Sequence, residues 1–281
     1  MKKILDIRFN CKLNSDISLQ FNKISHEKRA DFNEFITSIS KANIENLDWW
    51  VQGPASRNTY SSPLFHYYCV LFLLNHLIQE KKFSFEEIIV NSLSFKVIVE
   101  ELLSNSNINN CVVTSKNSVK DVVKNNITKH LLIFFLFFRK CYQLLVVGII
   151  GAHKVPDKPL VLIDTFLMPN YIDNDRWYGS LWDNLSKEQK LETFFVPTLV
   201  HTPFKDIISL YKRAQLNVRN YIFKENYITL KDVIFAFGYK KRVKRIKIDK
   251  ISLLGYELSC LVEEELNNNS DINIIIESIL T

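Results

Sequence analysis

Hydrophobic positions along the chain follow two spacings that alternate from one end to the other. Residues 26–41 set Phe32, Phe35, Ile36 and Ile39 at helical intervals, and Ser25 stands where an N-cap belongs. Residues 63–81 are apolar almost throughout, with Pro63 near the first turn, where a missing N–H costs nothing. A short strand at 87–90, a helix at 95–103, a strand at 111–114 and a helical stretch at 119–150, in one piece or two, come next.

Residues 160–164 (LVLID) form a continuous apolar run ending in an acid, the pattern of a parallel strand buried on both faces. Beyond a long loop, Ser186 caps a short helix and residues 193–200 (TFFVPTLV) read as a strand. Residues 203–215 are helical, 217–223 extended and 230–237 helical, and helices at 257–266 and 272–280 close the chain. Strands separated by helices predict an α/β fold, a Rossmann-like parallel sheet flanked by helices. The expected organisation is a single α/β domain over 1–266, with 267–281 as a polar linker and terminal helix. A linker in that position implies that a further lobe should follow.

Composition changes this picture little. Hydrophobic residues make up 47% and charged residues 23%, an ordinary globular balance. Cysteines at 11, 69, 111, 141 and 260 are scattered and odd in number, which is no disulfide framework. The first residues are basic, but Asp6 and Arg8 interrupt any apolar core of a signal peptide. The expected location is therefore the reducing cytoplasm.

Charge and hydropathy add two local features. The net charge of +6 is concentrated in residues 239–250 (YKKRVKRIKIDK), which attract phosphates, anionic lipid or nucleic acid without choosing among them. Residues 131–152 hold two apolar runs separated by Arg139 and Lys140. Two cations at the centre of a span cost roughly 2.5–3.5 kcal/mol each. A buried helix is the first expectation there, a helix lying in a membrane interface the second, and a true span the last.

The six glycines form neither G-x-G-x-x-G nor a P-loop, and there is no G-x-S-x-G elbow. Enzymes that rely on those elements drop away. His66, Cys69 and His76 share a helix face, but its Phe, Tyr and Leu neighbours favour a core role over a metal site. Two polar segments stand out. In the first, a loop carrying Arg57, Asn58 and Tyr60 leads into a buried helix, whose first N–H groups beside Arg57 suit an anion. The second follows the 160–164 strand, at the end where ligands bind in α/β sheets. There Asp164 and Asp175 are candidates for acid–base work, Arg176 for clamping an anion, and Trp177 and Tyr178 for stacking on a sugar ring. Asp173-Asn174-Asp175 also matches the D-x-D tripeptide that binds metal in one class of sugar-nucleotide transferase.

At these segments the chain resembles bacterial transferases of surface-carbohydrate (O-antigen and capsule) biosynthesis. The resemblance runs through SRNTYSSPLF (56–65), VLIDTF (161–166), DRWYGSL (175–181), FVPTL (195–199) and LGYELSCLVEEEL (254–266). It implies the N-terminal, acceptor-side lobe of a two-lobed (GT-B-like) glycosyltransferase, with the second lobe or a partner chain gripping the sugar-nucleotide donor. No covalently bound cofactor and no metal are implied, and the acceptor is a lipid-linked glycan or oligosaccharide. Working at the inner-membrane surface would give the 131–150 helix and the basic segment one purpose. Two other readings remain open. One is a stand-alone metal-dependent D-x-D transferase. The other is a non-enzymatic basic binding module, for which no specific nucleic-acid motif accompanies the charge.

Overall fold

A computed structural model describes residues 3–57, 59, 62–115, 119–151, 159–173, 176–200, 202–268 and 272–280. The chain divides into two compact units. Unit 1 comprises Met1–His130 and Gly238–Ile279, and unit 2 comprises Leu131–Phe237 with Leu280–Thr281.

The first part of unit 1 contains β1 (Ile4–Asp6), α1 (Ser15–Glu27), α2 (Arg29–Ala42), α3 (Leu47–Trp50), α4 (Gly53–Ser56), α5 (Leu64–Gln79), β2 (Glu87–Val90), α6 (Leu93–Asn105) and β3 (Val112–Ser115). The helix α7 (Val119–Ile150) follows, and the division between units falls within it. β1, β2 and β3 form a parallel sheet in that order, with Leu5 opposite Ile88 and Ile88 opposite Val113. This is a mixed α/β unit with a short three-stranded parallel sheet flanked by helices. The two strand pairs of the sheet need long crossovers, and α5 and α6 supply the helices that precede and follow β2. α5 is apolar on all sides and buries ten of its residues, including Cys69, Leu71, Leu73 and Leu74.

Two helices of unit 1 start at side-chain caps. Asn14 accepts from the Ile17 N–H to start α1, and Ser92 accepts from Phe95 to start α6. The helix expected over 26–41 is in fact the end of α1 and the whole of α2, which meet at Lys28. Ser25 lies inside α1 and is no N-cap; its hydroxyl donates back to the Phe21 carbonyl at 2.8 Å. β1 has only three residues, too few for a periodicity to register.

Unit 2 holds β4 (Val161–Leu167), α8 (Leu181–Asn184), α9 (Lys187–Glu192), β5 (Thr193–Leu199), α10 (Ile207–Gln215) and α11 (Leu230–Phe237). β4 and β5 pair in parallel as a two-stranded sheet, so among the described residues the strands do not form one continuous sheet. Residues 217–223, expected as extended, contribute one parallel bridge, Tyr221 to Phe195. α9 starts at the anticipated Ser186 in a full capping box with Gln189. α10 buries Ile207, Leu210, Tyr211 and Ala214, one helical stripe, against Val146, Val147, Phe195 and Phe223.

α7 departs from the buried helix expected for its apolar stretch. Within His130–Ile150, the only such candidate among the described residues for crossing a membrane by length and composition, 22% of the most apolar window is buried. Leu131, Phe134, Phe135, Phe138, Leu145 and Ile149 are exposed, while Lys140, Gln143, Val146 and Val147 are buried. The charge that breaks the apolar run has a partner inside unit 2. Lys140 Nζ lies 3.4 Å from Glu225 Oε1, with side-chain exposures of 5% and 2%.

The return to unit 1 contains α12 (Tyr239–Val243), β6 (Ser252–Leu253), β7 (Tyr256–Glu257), α13 (Ser259–Asn268) and α14 (Ile272–Ile279). β6 and β7 form an antiparallel hairpin whose two turn residues, Leu254 and Gly255, both have positive φ (53° and 88°), as a two-residue hairpin of type I′ demands. Two polar ties fasten this segment to the first part of the unit. Arg242 donates two hydrogen bonds to the Asp48 carboxylate, at 2.7 and 2.8 Å, and the Asn43 amide bonds both the N–H and the carbonyl of Lys247.

Removing one member of a buried ion pair strands the other without water. Lys140→Met is expected to lower the stability of the chain by about 3 kcal/mol, whereas Lys140→Met/Glu225→Leu should lie within about 1 kcal/mol of wild type. Urea denaturation followed by tryptophan fluorescence measures both.

Candidate functional site

In unit 2 the candidate residues gather around β4. Among the described residues this strand pairs with β5 alone, and the alternation of side chains places Leu162, Asp164 and Phe166 on one face and Thr165 and Leu167 near the other. Thr165 and Leu167 are buried; Leu162, Asp164 and Phe166 are exposed. The strand is therefore covered on one side, and the expectation of burial on both faces does not hold. Among the described residues the sheet has two strands, and side chains on the 162–166 face stay exposed.

The loop after β4 folds back onto it. Trp177 packs edge-on against Phe166 with ring centroids 5.4 Å apart, and the Tyr178 hydroxyl donates to the Asp164 carbonyl at 2.8 Å. The Arg176 guanidinium lies 5.6 Å from the Tyr171 ring and 5.8 Å from that of Trp177. Asp164, Arg176, Trp177 and Tyr178, separated by up to fourteen positions, thus occupy one surface together with Phe166. All five are exposed. Exposed rings beside a carboxylate and a guanidinium offer an apolar platform with hydrogen-bonding groups at its margin, suited to a ligand with one apolar and one hydroxylated side.

The D-x-D acids are placed differently. Asp173 forms an ion pair with Arg213 at 3.0 Å, and its carboxylate lies 3.4 Å from the Asn217 amide. Arg213 also donates to the Pro169 carbonyl, so the Asp173 carboxylate helps pin the loop to α10. Asn174 and Asp175 lie outside the described residues. Among the described residues no group of three or more His, Cys, Asp and Glu is arranged to hold a metal.

In unit 1 the described part of the loop before α5 places Arg57 as follows. Arg57 ends α4 in the left-handed conformation (φ 54°), and its guanidinium donates to Thr37 Oγ1 at 2.8 Å. It borders a crevice of about 160 Å³ with Phe32, Pro54, Thr59, Ser62 and Phe65, too narrow to seat a water molecule. Asn58 and Tyr60 lie outside the described residues. A carboxyl group of the chain itself lies beside this helix start: Ser62, two residues before α5, donates to Glu265 Oε2 at 3.0 Å.

Its neighbour Glu264 caps the start of α6 directly, accepting from Ser92 Oγ at 3.0 Å, Ser94 N at 2.6 Å and Leu93 N at 3.3 Å. A carboxylate at a helix start satisfies orphan N–H groups and faces the positive end of the dipole. The two segments 56–65 and 254–266, almost two hundred residues apart, therefore meet at the carboxyl ends of β1 and β2. There His66 Nε2 sits 2.9 Å from the Ile7 carbonyl, and Tyr67 donates to Asn91 at 2.8 Å. His66 and Cys69 are packed as core residues, and burial holds the imidazole below its usual range and the thiol up at about 11.

Burial pushes the Glu265 carboxyl up to about 8, against the downward pull of the Ser62 hydroxyl. The Tyr67 phenol is raised by burial first and by the Glu264 and Glu265 charges second. Sequence reading passed over Glu264 and Glu265, although Glu265 carries a signal. It lies three and four positions from the buried Val262 and Leu261, so it falls on the inward side of α13.

Comparison of the chain with protein-family models, with curated proteins and with solved structures finds no match.

Because Glu265 is held near 8 in the folded chain against an ordinary 4.5, the folded state retains a proton that the unfolded state releases between those values. Stability should fall as pH rises from about 4.5 through 8 and level off above. Thermal melts across that range should show the decline, and Glu265→Gln, which cannot ionise, should flatten it.

Proposed function

We propose that this chain is a glycan-binding, acceptor-side lobe of a glycosyltransferase-like protein in bacterial surface-polysaccharide biosynthesis. The observation that carries the reading is the surface on β4, where exposed Phe166, Trp177 and Tyr178 surround Asp164 and Arg176. Pyranose rings have apolar C–H faces that pack on aromatic rings, and hydroxyl edges that hydrogen-bond to carboxylates and guanidinium groups. In this reading Trp177 and Tyr178 seat a sugar ring, Arg176 holds an anionic substituent, and Asp164 serves as the acid–base group, with Asp175 as its candidate partner. The donor is a sugar nucleotide gripped by a second lobe or partner chain, in keeping with a GT-B-like, Rossmann-like assignment of the fold.

The exposed face of α7 supports work at the cytoplasmic surface of the inner membrane on a lipid-linked acceptor. Its apolar segment of 21 residues is roughly 30 Å long. A charged pair is directed into unit 2 while Leu and Phe side chains point outward. A helix so arranged suits burial of one face among acyl chains with the other on protein.

Two measurements test the reading. Saturation-transfer NMR with oligosaccharide fragments of bacterial surface polysaccharides should show transfer to sugar protons. Trp177→Ala should weaken that binding about tenfold, as for a central aromatic anchor. No transfer from any fragment, or no effect of Trp177→Ala, would sink the glycan assignment. Sedimentation with phosphatidylglycerol vesicles should retain the chain, and Phe134→Asp/Phe138→Asp should release it. Equal retention of that variant overturns the role given to α7.

A further inference from the structure

The basic segment 239–250 is fastened to one particular place on unit 1. The two-pronged Arg242–Asp48 pair and the bonds between the Asn43 amide and the Lys247 backbone hold it against α3 and the turn that precedes it. Asn43 is followed by Ile44, and Asp48 stands between Leu47 and the tryptophan pair. The two ties therefore set the segment beside Ile44, Leu47 and Trp50, which are 70%, 45% and 45% exposed. Trp49, by contrast, is buried, and its indole donates to Ser40 Oγ. Adjacent in sequence, the two tryptophans are sent to opposite sides by the turn of α3.

The Trp50 indole N–H donates to the Ile44 carbonyl at 2.9 Å. That bond draws Trp50 and Ile44 into one apolar tip and satisfies the polar group of the ring within the chain. The ring can then enter an apolar medium without stranding a donor. In the basic segment Lys241, Lys244, Arg245, Lys247 and Lys250 are exposed, and Asp249 is its one acid. Lys41 and Glu45, which flank Ile44 in sequence, offset each other, and Glu263 on α13 is exposed as well. Cations outnumber these acids, and that excess sets the sign of the field felt by an approaching surface.

An apolar tip beside long cationic side chains is complementary to an anionic bilayer. The tip is buried at the headgroup boundary, while the lysines reach lipid phosphates and their stems cover apolar surface. A protein partner would need a broader face, roughly 20–30 residues a side. A single-stranded nucleic acid stacks its bases on successive rings, and this tip offers one ring with two aliphatic neighbours.

We propose that Ile44, Leu47 and Trp50, together with the cations of residues 241–250, form a docking surface of unit 1 for an anionic lipid bilayer. It requires neither the glycan reading of unit 2 nor the exposed face of α7.

The test is sedimentation of the full chain carrying Phe134→Asp/Phe138→Asp, which removes the contribution of α7 and leaves this surface in place. At lipid concentrations tenfold above those that retain the unmodified chain, it should bind phosphatidylglycerol vesicles. Binding to phosphatidylcholine vesicles should be much weaker, and rising salt should abolish retention on either. In the same background Leu47→Ser/Trp50→Ser should weaken binding at least tenfold, and Lys241→Gln/Lys244→Gln/Lys247→Gln about a hundredfold. Lys12→Gln/Lys23→Gln/Lys81→Gln, an equal loss of charge elsewhere on unit 1, should change it less than threefold. All the substituted side chains of unit 1 are exposed, and coincident circular dichroism melts establish that the variants are folded. Should either the tip or the cation variant prove unfolded, the other decides. Every comparison is made within one background, so the result is independent of the outcome for α7. The proposal is overturned if phosphatidylglycerol vesicles do not retain the chain, if a folded tip or cation variant binds as its parent does, or if the control variant loses as much as the cation variant. It is also overturned if single-stranded RNA of twenty nucleotides displaces the vesicles and Trp50→Ser abolishes that RNA binding.

Discussion

Unit 1 depends on bringing residues 238–279 back to a domain begun more than a hundred residues earlier. Hydrophobic burial supplies most of the driving force, since Tyr239, Val243, Leu258, Leu261, Val262, Leu266, Ile272, Ile275 and Ile276 are all buried. Burial alone does not choose a position, because apolar contacts are non-directional. Position comes from directed polar contacts: Arg242 on Asp48, the Asn43 amide on Lys247, Glu264 on the start of α6, and Glu265 on Ser62. Each is directional, and misplacement would leave a charge or an amide in a dry setting without its hydrogen bonds.

These ties also decide which charges the surface keeps. Of the carboxylates in the 254–266 segment, Glu264 and Glu265 are engaged with helix starts. Arg242 is likewise matched with Asp48. Which charges are engaged in this way depends on the fold, and the net charge of the whole chain does not report it.

In unit 2 the governing feature is the inversion of α7, with Lys140 and Gln143 inside and Leu and Phe outside. From sequence, Arg139 and Lys140 look like an interruption of an apolar run. In the fold, Lys140 is the part of the helix that belongs inside, because Glu225 sits opposite it at the end of a loop eighty-five residues away. A similar reversal applies to β4, whose LVLI run reads as doubly buried but is half exposed beside the Trp177 loop. Hydropathy reports how apolar a segment is and does not report whether anything covers it.

The sequence by itself determined the alternation of helices and strands, the strand at Glu87–Val90, the cap at Ser186 and the helix at Leu230–Phe237. All of these rest on interactions within a few residues, where periodicity and capping act. Tertiary structure alone decided the division into two units, the separation of the parallel strands into two sheets, the break at Lys28 and the three-residue β1. It also decided that the helix starts near Ser62 and Ser92 receive the chain's own glutamates. Those outcomes depend on contacts between residues far apart in sequence, and no local pattern encodes which distant partner a carboxylate or an apolar face will meet.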